Sequence, residues 1–70
     1  MSHETARFAL LRDKGRWRLL AAGATSQAFD YRVDAEEAAL RLAQRARDAG
    51  FGAEILLQDQ FGELRPLDIH

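Results

Sequence analysis

The sequence predicts a two-layer α+β domain, β-β-(β)-α-β-β, with one helix packed on one face of an antiparallel sheet. Three observations predict it. Short apolar segments alternate with the period of two that half-buried strands show, one longer segment repeats its apolar residues at helical spacing, and hairpin turn residues stand on either side of that segment. Strand pairs flanking a single helix bury their apolar surfaces by laying the helix on the sheet. Seventy residues are enough for one domain and too few for two, so residues 1–70 read as a single unit with polar tails at about 1–6 and 68–70.

Taken in order, Arg7 to Arg12 is an apolar segment bounded by charge, and Asp13-Lys14-Gly15 follows it as a tight turn. Arg16 to Ala22 returns as a second strand, with Trp17, Leu19 and Ala21 on one face and Arg16, Arg18 and Leu20 on the other. Gly23 to Ser26 breaks the chain. Phe29, Tyr31 and Val33 then alternate with Asp30 and Arg32, as a short third strand or an extended lead into the helix.

The helix is read from Asp34, whose carboxylate suits an N-cap, with Glu37 in the capping-box position. Ala35, Ala39, Leu42, Ala46 and Ala49 form its apolar stripe, and Gly50 stops it. An alanine-rich stripe lets a helix lie close against a sheet. Ala53 to Gln58 is the next strand, Asp59 to Gly62 a turn, and Glu63 to Ile69 the last strand, placed at an edge by Pro66, which cannot donate to a ladder.

Composition narrows the function classes. The absence of cysteine removes disulfides, thiolate metal sites and thiol nucleophiles together, and fits a reducing, cytoplasmic setting. Met1 to Ala6 is polar and no apolar run exceeds a few residues, so neither a secretory leader nor a membrane span is expected. The net charge of -1 hides an asymmetry: residues 1–33 sum to +3 and residues 34–70 to -4. Halves of opposite sign mark a polar binding surface, or attract each other within a fold or between subunits.

Gly15-Arg16-Trp17 in a hairpin, Asp34-Ala35-Glu36-Glu37-Ala38 opening an alanine-rich helix, Gly50, Glu54 before an aliphatic strand, and Gly62-x-x-Arg65 together resemble the small bacterial DUF2188 family, a domain of unknown function. The resemblance spans roughly residues 7–66 and rests on cap, turn and core positions. It implies no catalytic residue.

The residues by themselves do not assemble an active site. His3 and His70, the two histidines, stand in the tails, where nothing holds them for metal binding or for a triad with Ser2 or Ser26. Glu36 and Glu37 are explained by helix capping and by an i,i+4 contact from Glu37 to Arg41. Gly50-Phe51-Gly52 lies at the carboxyl end of the helix, whereas phosphate loops use the amino end. No enzyme activity, cofactor or metal is therefore expected.

Two surfaces are left. Arg7, Arg12, Lys14, Arg16 and Arg18 against Asp13 give +4 over the first hairpin, a candidate nucleic-acid contact with Trp17 or Tyr31 available for stacking. Set against that, Trp17 shares its alternation with Leu19 and Ala21, which suits a core, and exposed strand arginines also protect edges. The second surface is apolar: Leu20, Leu56, Leu67 and Ile69 stand on the alternation opposite Leu19, Leu57 and Leu64, on a face the helix does not reach. A solvated sheet face is ordinarily polar, so Leu20, Leu56 and Leu67 are the expected self-association face. The favoured expectation is a small non-catalytic module that forms a homodimer and binds a protein partner. The alternative is a nucleic-acid-binding accessory domain using the basic hairpin.

Overall fold

The computed structural model describes residues 4–21 and 27–67. The elements run β1 (Thr5–Asp13), β2 (Arg16–Ala21), β3 (Gln27–Phe29), α1 (Arg32–Asp48), β4 (Gly52–Gln58) and β5 (Leu64–Pro66). The strands form one five-stranded sheet in the order β3-β2-β1-β4-β5, with α1 against one face. The fold class is thus α+β in two layers, as the sequence predicts. Residues 5 and 6, expected in a tail, already belong to β1.

The first hairpin follows from its turn. Asp13 pairs with Arg16 across a two-residue loop in which Lys14 has φ 51° and Gly15 φ 79°. Both central residues are left-handed, the type I′ geometry whose twist matches the flanking strands. Glycine takes this conformation freely; Lys14 is strained there, because its Cβ crowds the carbonyl that follows.

The expected all-antiparallel sheet is corrected. β1 pairs with β2, β2 with β3 and β4 with β5 in antiparallel fashion, but β1 and β4 are parallel, with Phe8 opposite Ile55 and Leu10 opposite Leu57. Parallel neighbours cannot be joined by a hairpin and need a crossover, usually a helix. Here β3, which runs parallel to β1, leads into α1, and α1 passes back over the sheet so that β4 is laid beside β1. The crossover carries the helix over the sheet's centre, where it contacts β4, β1, β2 and β3.

The helix begins two residues before Asp34. Tyr31 is the N-cap, in an extended conformation and without a side-chain cap hydrogen bond. Asp34 is instead in the first turn, where a carboxylate still complements the helix dipole. The β2–β3 ladder ends at the Trp17–Phe29 pair, and the chain winds into the helix from Arg32. Arg32 and Glu36 close the first turn with an i,i+4 ion pair of 2.7 Å. At the other end, Phe51 N–H donates to Ala46 and Gly50 N–H to Arg47, with Gly50 at φ 92°. This is a Schellman stop, with glycine at the left-handed position.

The core is Phe8, Leu10, Leu19 and Ile55 from the three central strands and Ala35, Ala39 and Ala43 from the helix. Ala43 replaces the expected Leu42 and Ala46 at the centre of the stripe; Leu42 packs at its margin and Ala49 is exposed. The three alanines follow one i, i+4, i+8 row, which brings the backbone of α1 close to the sheet.

Candidate functional site

The face of the sheet turned away from α1 carries the residues on the alternation opposite the core. Its central row runs Leu20 on β2, Ala9 on β1, Leu56 on β4 and Pro66 on β5, each directly opposite the next. Leu20, Ala9 and Leu56 are half-buried, as is Leu11 beside them, and Leu64 is exposed. Ala9 and Leu11 belong to this surface although attention to the pairs Leu19–Leu20 and Leu56–Leu57 passes over them. The alternation within Arg7 to Arg12 was the signal that could have found them.

Leu67 is corrected. Its N–H donates to the Ile55 carbonyl at 2.8 Å, and its side chain packs against the core cluster. Pro66 pairs with Leu56 on the outer face, so the next residue turns inward and Leu64 is the outward one. Ile69 lies outside the described residues, as do Ala22, Ser2, Ser26, His3 and His70.

The basic hairpin is less free than its sequence implies. Arg7 pairs with Glu54 at 3.3 Å, Arg16 with Asp30 at 2.9 Å and Arg18 with Asp13 at 3.0 Å. Arg12 lies over the Trp17 ring, 5.6 Å from its centroid, while Lys14 is held out in the turn. Trp17 itself packs against the core, and Tyr31 is 68% exposed at the helix start. Five cations that read as one patch are thus spread over two faces and a turn, and three have acidic neighbours.

The β4–β5 turn is held by a dense set of hydrogen bonds. Asp59 accepts from Phe61 N–H and Glu63 N–H, each at 2.9 Å, and from Arg65 Nε at 2.7 Å. The Arg65 guanidinium, and after it the Glu63 and Phe61 N–H groups, hold the Asp59 carboxyl below its ordinary value of 3.8, against a raising effect of partial shelter. Because the folded carboxyl ionises more readily than the unfolded one, this turn's stabilisation is complete above the ordinary value and is lost as pH falls through the folded one. An Asp59 titration midpoint clearly under 3.8 is the expected NMR result, with the Phe61 and Glu63 amides exchanging faster once it is passed. A midpoint at or above 3.8 would contradict these bonds.

Among the described residues, no three of His, Cys, Asp and Glu converge as a metal site, and no helix is long and apolar enough to cross a membrane. Fold and surfaces together define a small two-layer domain with a mixed sheet, one face covered by an alanine-rich helix and the other presenting an apolar row within a charged rim. Comparison with family models, with curated proteins and with solved structures returned no match.

Proposed function

We propose that the chain is a small non-catalytic interaction module that works as a homodimer, with a second copy seated on the outer sheet face. The observation that carries this reading is the Leu20–Ala9–Leu56–Pro66 row, which crosses four strands and has no helix or strand over it among the described residues. Contiguous apolar surface of this kind marks interfaces. The core offers a second reason: three of its seven buried residues are alanines, so a further apolar layer adds burial that a chain of 70 residues otherwise lacks.

Charge favours a second copy as the occupant. Both signs flank the row along the strands, Arg7 with Glu54 on one side and Arg18 with Asp13 on the other. A copy related by a two-fold axis can therefore meet opposite charges on both sides, and two-fold pairing lets one patch serve as its own partner. A protein partner would then bind the dimer on surfaces outside the row.

Light scattering at micromolar concentration should give twice the chain mass, and the melting temperature should rise with protein concentration. Leu56→Asp should give a monomer, and Leu20→Lys, at the other end of the row, should do the same if Leu56→Asp fails to fold. A parent chain that is monomeric at high concentration, melting at a temperature independent of concentration, would overturn the reading.

A further inference from the structure

We propose that the groove at the end of the sheet where α1 begins binds a nucleotide unit, its phosphate held by Arg12, Arg32 and Arg65 and its base stacked on Phe61. The groove has a volume of about 710 Å³ and collects residues from the end of β1, the starts of β2 and α1, and the β4–β5 turn. Ligand pockets span roughly 300–1,000 Å³, and this one is open along its length, which suits a ligand whose chain continues past it.

The three arginines line the groove from separate elements. Among the described residues Arg12 has no carboxylate within ion-pair reach; it rests on Trp17. Arg32 is held by Glu36, and Arg65 by Asp59 and Glu63, in pairs whose arginine side chains are more than half exposed. Exposed pairs contribute little, so a phosphate can displace Glu36 from Arg32 and Glu63 from Arg65, whose Nε stays on Asp59. Among the described residues Asp59 is the only carboxylate lining the groove, and its oxygens are committed to Arg65 and two backbone N–H groups.

Phe61 supplies the stacking surface. It sits at the tip of the turn that Asp59 fixes, yet is 78% exposed, the most exposed of the large apolar side chains among the described residues. A rigid turn that presents an aromatic ring to water beside three arginines combines the two parts of a single-strand binding site, a basic track and a platform for a base. The groove shares no residue with the outer apolar row, so this inference and the dimer can fail separately.

Trp17, the only tryptophan, lines the groove and reports on it by fluorescence. The full chain would be titrated at low salt with a uridine octamer, a mononucleotide and inorganic polyphosphate. Saturable quenching by the octamer or the mononucleotide is expected; octamer affinity falling steeply with salt identifies single-stranded nucleic acid as the source, and tighter binding of the mononucleotide identifies a free nucleotide. Phe61→Ala should weaken binding about 5- to 150-fold, the range for loss of one stacked base, without changing the melting temperature. Arg32→Gln should weaken it as well, while Arg41→Gln on the exposed face of α1 leaves it within about twofold. No quenching by either nucleotide ligand, equal binding of polyphosphate, or equal loss in Arg41→Gln would overturn the proposal.

Discussion

Leu10→Ala is expected to lower the unfolding free energy by about 2 to 5 kcal/mol. Leu10 is fully buried in the middle of β1, opposite Leu19 on one neighbour and Leu57 on the other, beneath α1. Its neighbours belong to three strands and a helix, so they cannot collapse into the space left without breaking the register of the sheet. A single core of this size supplies about 3 to 5 kcal/mol in all, which makes the expected loss comparable to the whole. The variant should therefore show no cooperative denaturant transition at 25 °C by circular dichroism. Ile55→Val, which removes one methylene from the same cluster, should fold and lose about 0.5 to 1.5 kcal/mol. Leu40→Ala, on the exposed side of α1, should lie within about 0.5 kcal/mol of the parent. Similar losses at Leu10 and Leu40 would mean that the helix faces the other way.

Ala39→Leu should cost about 1 to 3 kcal/mol, although it replaces one strong helix former by another. Ala39 is the middle of the Ala35–Ala39–Ala43 row and has no exposed surface. The longer side chain has nowhere to go except into Leu10, Leu19 or Ile55, so either α1 lifts from the sheet or those residues leave their rotamers. Gln44→Leu, on the exposed face, places the same side chain on the helix without the clash and should be near neutral. A neutral Ala39→Leu would show that α1 stands further from the sheet than the alanine row requires.

Much of the fold is legible residue by residue. Asp13-Lys14-Gly15 announces its turn because few sequences accept two left-handed residues in succession. Gly50 announces the helix stop for a related reason, since a Schellman cap needs a left-handed residue. The alternation in Arg16 to Ala21 separates Leu19, which is buried, from Leu20, which is not. Other features were not legible. The start of α1 at Arg32 follows the end of the β2–β3 ladder, and Leu67 turns inward because β5 pairs through Pro66 with Leu56. The hairpin arginines have the same difficulty: their charge is plain in the sequence, but Glu54 and Asp30 become their partners only once β4 and β3 are in place. Arg32, remote in the chain from Phe61 and Arg65, gave no sign that it shares a groove with them and with Arg12.

The sequence by itself determined the tight turn at Lys14-Gly15, the helix stop at Gly50 and the alternation within β2 and β4, because turn stereochemistry and the period of a strand act over a few residues. The tertiary structure alone decided that β4 lies parallel beside β1, that Ala43 rather than Leu42 faces the centre of the core, and which charges meet. Those outcomes depend on how the crossover helix best covers the sheet, and that choice is made by packing among residues remote in the chain, about which local periodicity carries no information.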